Sequence, residues 1–306
     1  VDPFLITSLL TEISRDIGRP ESTREPLRVW SMSGVDRLTY PDGTTAIFKY
    51  ATEPFIREDK HLRAAARAGI PVPHVLGSTV RDGLLAMVLE DLGEPVREAQ
   101  DTEAVAAAVA LHQVSAPLAL AVLDRKALAA LPGRAMEHLR QLQAGGRWTE
   151  GTDEITANLT ALIQAAESRT EGAEIAPFGW VHSEFHATSL HIGRSGWRLL
   201  DFARTFAGPG LLDLAAWQGL TKAQPPDPEL LRTFIEAYVA AGGHRDALRQ
   251  RGGLPAENWA LGWYRVWAVE WFFEQARIWI NQPAQDPGSI KVVRRHLASA
   301  ARLLGA

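Results

Sequence analysis

Near residue 94 the hydrophobic pattern of this chain changes period, and that change limits the folds open to it. Upstream, beside a leading and one inserted helical stretch, short strand-like runs are separated by turn residues. Downstream, apolar residues recur at helical spacing over long stretches. Strands first and helices later predict an α+β fold with two lobes and a cleft between them. A small antiparallel-sheet lobe is expected over 1–93 and a large, mostly helical lobe over 94–306.

The opening stretch, Val1 to Arg15, reads as an amphipathic helix with Phe4, Leu5, Leu9, Leu10 and Ile13 on one side. It lacks the basic segment and apolar core of a signal peptide. A break over Gly18 to Pro26 follows, then extended segments over Leu27 to Ser33 and Val35 to Tyr40. Pro41, Asp42 and Gly43 form a turn, because proline presets φ and glycine accepts a positive one. Thr45 to Tyr50 returns as a strand. Pro54 to Ala68 is predicted helical, ended by Gly69, and two more strands, Val75 to Ser78 and Leu84 to Glu90, flank a turn at Arg81, Asp82 and Gly83.

Beyond the switch, Asp101 or Thr102 can cap a helix over Glu103 to His112. Further helices are expected at 124–145, 152–170, 228–241, 256–281 and 288–304. A strand-rich island, Gly179 to Phe202, interrupts them.

Composition removes several function classes. The formal net charge is −4, which offers a nucleic-acid backbone no electrostatic footing. The chain has no cysteine, so disulfides, thiolate metal sites and cysteine nucleophiles are excluded. No apolar run approaches the length of a membrane span. The expectation is a cytoplasmic protein, monomer or homodimer, whose partner is a small molecule rather than nucleic acid or membrane.

Chemistry concentrates in the island. His182, Ser183, Glu184, His186 and Ser189 crowd one loop after a strand, and an apolar pair leads from the next strand to Asp201. Acidic residues in such a loop are costly unless something binds there. Phosphoryl transfer needs this arrangement: a carboxylate to orient the attacking hydroxyl, and oxygen ligands to hold magnesium against phosphates.

The loop resembles that of the aminoglycoside phosphotransferases and choline kinase-like small-molecule kinases, whose pattern is His-Gly-Asp-x-His-x-x-Asn. His182 and His186 match the two histidines. Ser183 replaces the glycine, Glu184 the catalytic aspartate and Ser189 the metal-binding asparagine. Asp201 matches the second metal ligand, and Gly208 to Ala215 resembles the family's Gly-Asp-Pro-x-x-Asp-Leu-Ala, with Asp213 expected to brace the loop. In the small lobe, Lys49 matches the phosphate-binding lysine and Glu58 its helix partner. Leu85 to Leu92 resembles the interlobe hinge, and Ala106 to His112 the helix ending in Leu-His. These landmarks keep the family's order over roughly residues 30 to 220.

The resemblance implies a protein-kinase-like two-lobed fold that transfers the γ-phosphoryl of ATP or GTP, with Mg2+, to a small-molecule hydroxyl. Glu184 would be the base, with His182 and His186 bracing the loop. Lys49, Glu58, Ser31, Ser33, Gly34, Glu90 and Leu92 would meet the nucleotide, and Asp201 and Ser189 the metal. An antibiotic acceptor is the family's common implication. A metabolic sugar or alcohol kinase and a non-catalytic kinase-like binding protein are the alternatives, the latter because the loop departs from the pattern. Glu184 reaches roughly 1.5 Å farther than aspartate, and the turn at Ser31 to Gly34 has a single glycine. His191 is expected to point away from the site.

Ten tryptophans stand out. Those at 259, 263, 267 and 271 repeat every four residues, along one helix face. Core packing accounts for most of them. Trp263, Trp267, Glu270 and Trp271 are nonetheless expected at the acceptor site, where indoles could stack on a flat ring or sugar. That favours a nucleoside-type antibiotic over a polycationic aminoglycoside.

Overall fold

A computed structural model describes residues 2–19, 22–219, 226–280 and 282–306. In chain order its elements are α1 (Pro3–Asp16), β1 (Thr23–Val29), β2 (Ser33–Thr39), β3 (Thr45–Thr52), α2 (Glu58–Arg67), β4 (Val75–Arg81), β5 (Leu84–Glu90), α3 (Asp101–His112), α4 (Arg125–Ala129), α5 (Leu131–Ala144) and α6 (Asp153–Arg169). There follow β6 (Phe178–Val181), β7 (Leu190–Gly193), β8 (Gly196–Leu199), β9 (Phe206–Pro209), α7 (Leu211–Trp217), α8 (Pro228–Ala240), α9 (Ala256–Glu274) and α10 (Asp286–Leu304).

The chain forms two compact units. One comprises Val1–Glu103 with Ala187–Thr205, the other Ala104–His186 with Phe206–Ala306. The first unit thus runs to Glu103 rather than to residue 93, and it also takes in the hairpin β7–β8, 100 residues or so downstream in sequence. Backbone bonds tie that hairpin in: Leu199 donates to the Pro71 carbonyl and Val96 to the Ile192 carbonyl, each at 2.8 Å. These long-range bonds leave no mark on hydrophobic period, which is why a contiguous boundary is what the sequence suggests.

The first unit is built on a five-stranded antiparallel sheet in the order β1-β2-β3-β5-β4. Its two faces have different tasks. On one, Leu38, Ala46, Phe48, Tyr50, Ala86 and Val88 pack against Ile6, Leu9 and Ile13 of α1. The larger of these, such as Leu38, Phe48, Val88, Leu9 and Ile13, each contribute about 1.5–3 kcal/mol when fully buried. Phe4, expected on the apolar side of α1, is instead 87% exposed. It sits in the first turn, and Ile6 takes the inward position. The other face carries Val35, Arg37, Ile47 and Lys49 and looks towards α2.

Gly34 illustrates how the inner face is fitted. A Cβ there would come within 2.2 Å of the Tyr50 ring, which pairs with Gly34 across β2 and β3. The glycine is required by packing on the α1 face.

The second unit is mostly helical. α9 packs on α5, α7, α8 and α10, and β6 pairs antiparallel with β9. The predicted helix over 124–145 is two, and that over 256–281 gives way after Glu274 to a π turn, Gln275–Trp279. Among the described residues no helix is long and apolar enough to cross a membrane.

Candidate active site

On the α2-facing side of the sheet a cavity of about 370 Å3 is lined by Leu27, Val35, Ile47, Leu62 and Leu89, and by polar groups gathered from distant parts of the chain. All its lining residues belong to the first unit. Its apolar walls, with a few convergent polar groups, are what a small-ligand site requires.

Lys49 is the centre of the polar cluster. Its Nζ lies 2.7 Å from Glu58 Oε1 and 2.7 Å from Asp201 Oδ1, a contact spanning 152 residues of sequence. The lysine sits mid-strand in β3, so the two-residue period that buries Phe48 and Tyr50 on the α1 face turns Lys49 the other way. Glu58 opens α2, the element facing that side. Burial pushes the Lys49 ammonium down, but Glu58 and Asp201 more than offset this and raise it above its ordinary value. The lysine therefore carries a firm positive charge.

Asp201 occupies a left-handed bend, φ 65°, between β8 and a 3-10 turn over Phe202–Arg204. Aspartate tolerates that region better than most residues. His61 of α2 holds the turn, its Nδ1 3.0 Å from the Phe202 carbonyl oxygen.

Glu90 and Leu92 stand on the cavity's far wall, in the segment Glu90 to Glu94. The Glu90 N–H donates to the His74 carbonyl at 2.9 Å, and the Glu90 carboxylate accepts from the His74 N–H at 3.1 Å. His191 Nε2 lies 3.2 Å from the Gly93 carbonyl oxygen. The Leu92 N–H and C=O have no hydrogen-bond partner among the described residues.

Several expected residues lie elsewhere. Ser31, Ser33 and Gly34 are outside the lining. Ser189 is also outside it and 1% exposed, in the 3-10 turn Ala187–Ser189, whereas its neighbour Thr188 is in the lining. His191, expected to point away, lines the cavity. The hairpin β7–β8 presents that face of β7 to the segment after β5, a placement set by tertiary pairing. Arg28 and Arg37 also line the cavity and were not singled out from sequence. Alternation with Val35 is the signal that could have marked Arg37.

Magnesium in phosphoryl-transfer sites usually keeps several waters and takes only one or two protein carboxylates beside the phosphates. Asp201, its side chain 29% exposed at the cavity wall, fits that need. Among the described residues no three His, Asp or Glu side chains cluster as a ready-made metal cage, and this chemistry does not call for one.

In the second unit, a buried carboxylate takes two backbone donors of the loop carrying Glu184. Asp213, fully buried at the start of α7, accepts from the His182 N–H at 2.7 Å and the Ser183 N–H at 2.8 Å. Ser183 has φ 76°, a conformation that costs a non-glycine residue about 1–2 kcal/mol. The resemblance has glycine at this position, and the paired bonds to Asp213 offset the strain of the serine.

Asp213 is itself held from behind. His112 Nε2 lies 3.4 Å from its Oδ2, and His112 Nδ1 lies 3.3 Å from the Tyr238 hydroxyl. Burial pushes the Tyr238 phenol up to about 12, so it stays neutral. His182 is fully buried, with its ring edge-on to Phe185. His186 is exposed and Glu184 half-buried.

The aromatic stripe on α9 is largely core. Trp259 and Trp263 are 0% exposed, and both indoles donate to the Arg169 carbonyl, at 2.6 and 3.1 Å. Trp263 is therefore no acceptor contact: its ring is enclosed by packing and its N–H is spent on the end of α6. Trp267 is half-buried and stacks on Tyr264 at 6.0 Å and 16°. Trp271 is half-buried. Glu270 pairs with Arg134 at 2.8 Å.

No protein-family model and no curated protein sequence matches this chain. Solved structures do. A fructosamine-3-kinase from Haemophilus somnus 129PT, described as putative, superposes with a TM-score of 0.64 at 13% identity, covering 96% of this chain and 97% of that one. A choline kinase from Cryptosporidium parvum Iowa II gives 0.62 at 11%, covering 93% and 90%. An aminoglycoside-3'-phosphotransferase of type VIII gives 0.58 at 19%, covering 87% and 98%. The chain has the fold shared by these small-molecule kinases.

Proposed function

We propose that this protein transfers the γ-phosphoryl group of ATP or GTP to a hydroxyl of a small molecule. The observation that carries the proposal is Lys49 held between Glu58 and Asp201 at the wall of the cavity. A lysine clamped by one helix carboxylate, beside a second carboxylate suited to magnesium, is the arrangement phosphoryl transfer uses to neutralise and orient phosphates. Leu92, with its unpaired donor and acceptor, suits the edge of a nucleobase.

In this reading Lys49 binds phosphate oxygens and Glu58 keeps it in place. Asp201 would hold Mg2+, with a hydroxyl from Ser189 or Thr188 assisting directly or through water. When bound, the metal supplies charge neutralisation on the transferring group. Glu184 orients the attacking hydroxyl and accepts its proton, while Asp213 fixes the backbone from which Glu184 projects.

An antibiotic acceptor, and hence resistance, is the finer proposal, with a sugar or alcohol as the other acceptor class. The fold hosts kinases named for fructosamine, choline and aminoglycosides, so it supports the reaction type without choosing the acceptor. The burial of Trp263 removes one reason to prefer a nucleoside-type antibiotic.

The test is a transfer screen. Antibiotics, sugars and amino alcohols are incubated with the protein, Mg2+ and either ATP or GTP, and products are read by mass for one added phosphoryl group. Transfer that vanishes in Asp201→Ala supports the proposal. Transfer that survives it refutes the site. Magnesium-dependent nucleotide binding without transfer to any acceptor would favour a non-catalytic binding protein.

A further inference from the structure

The three cations in the cavity lining are unequally neutralised. Lys49 has Glu58 and Asp201. Arg37 has Asp91 at 2.9 Å and Glu94 at 3.1 Å. Arg28 has no carboxylate within ion-pair distance among the described residues, and its guanidinium lies 4.2 Å from the centre of the exposed Trp30 ring.

Arg28 reaches this face through a local irregularity. Along β1, Arg24 opposes Leu38 and Pro26 opposes Asp36, and Leu38 packs on α1. Strict alternation would put Arg28 on that same α1 face. The register shifts between Pro26 and Arg28, so that Arg28 opposes Val35. Val35 in turn opposes Lys49. The bulge thus sets Arg28, Val35 and Lys49 in one cross-strand row on the cavity face, the re-aiming that bulges near binding sites produce. Two strand spacings separate the backbones of Arg28 and Lys49 by about 10 Å, and both side chains are long enough to reach into the gap.

We propose that Arg28 binds the phosphate tail of the nucleotide. This rests on the nucleotide-binding reading of the same cavity. The turn after β1, Trp30 to Met32, contains no glycine, so close backbone approach to phosphates is restricted there, and a guanidinium supplies the missing donors. Its planar fork matches phosphate oxygens, and stacking on Trp30 holds the plane while leaving its N–H edges available.

Isothermal titration with Mg2+ separates tail from base. Adenosine, AMP, ADP and ATP, and the guanine series in parallel, are titrated into the parent, Arg28→Gln and Arg28→Lys. Arg28 is exposed on an edge strand, so both variants should keep the parent's melting temperature. Arg28→Gln should weaken binding of the triphosphate roughly ten-fold or more, as expected for a lost charge-assisted hydrogen bond, and the nucleoside by less than about two-fold. Arg28→Lys should recover part of the loss. Equal weakening of nucleoside and triphosphate, or weakening of neither, would overturn the assignment while leaving the cavity a nucleotide site. A parent that binds no nucleotide would overturn both.

Discussion

Replacing Asp213 with asparagine keeps the volume of the side chain and changes one oxygen into an amino group. In the parent the carboxylate accepts two buried backbone N–H groups, at 2.7 and 2.8 Å, and faces His112. Asparagine can accept from only one of those N–H groups. The other then meets an amino group, donor against donor, and stays unsatisfied. Losing the charge from the surviving bond costs about 1 kcal/mol, and leaving a buried donor unpaired about 1–3 kcal/mol. These costs sum to about 2–4 kcal/mol, and relief of carboxylate desolvation returns part of that, leaving a destabilisation of about 1–3 kcal/mol. Ser183 must also hold its left-handed conformation with less support, so the backbone bearing Glu184 should loosen. Urea unfolding followed by tryptophan fluorescence reads the first effect. Single-turnover transfer, once an acceptor is known, reads the second, as a fall in kcat with nucleotide affinity unchanged. A stability within about 1 kcal/mol of the parent would refute the view that this carboxylate carries the loop.

Glu184→Gln should lower kcat by about 10²-fold or more while sparing nucleotide affinity, measured by steady-state kinetics and titration; unchanged turnover would remove Glu184 from the mechanism. Gly34→Ala should destabilise by about 1–3 kcal/mol, because its Cβ meets the Tyr50 ring at 2.2 Å, and pairing it with Tyr50→Leu should recover most of that in a denaturation series. Burial, with Arg265 and Arg295 adding repulsion, pushes His296 from 6.5 down to about 4. The unfolded chain therefore takes up a proton that the folded chain refuses, and stability should fall by about 2 kcal/mol between pH 7 and pH 5; His296→Gln should lose this part of the acid sensitivity in matched unfolding curves.

What the sequence determined by itself was local or ordered along the chain. The switch from short strand-like runs to helical spacing marks the sheet and the helices, and β5 falls over Leu84–Glu90, where an apolar run follows a turn. Lys49, Glu58 and Asp201 could be named because each falls on a landmark of the small-molecule kinase pattern, in the same order along the chain. Their meeting within 2.7 Å was decided by tertiary structure, since nothing local relates residues 152 positions apart. The same holds for the hairpin β7–β8, whose backbone bonds to Pro71 and Val96 carry His191 to the cavity. The α9 tryptophans mark the limit most clearly. Their four-residue spacing fixes a face, but whether that face meets solvent or a neighbouring helix depends on what packs there, and Arg169 at the end of α6 takes both buried indoles. Arg28 needed the structure for a different reason. One extra residue in β1 reverses which face every later side chain on the strand occupies, and a bulge of that kind leaves no signature in hydrophobic period.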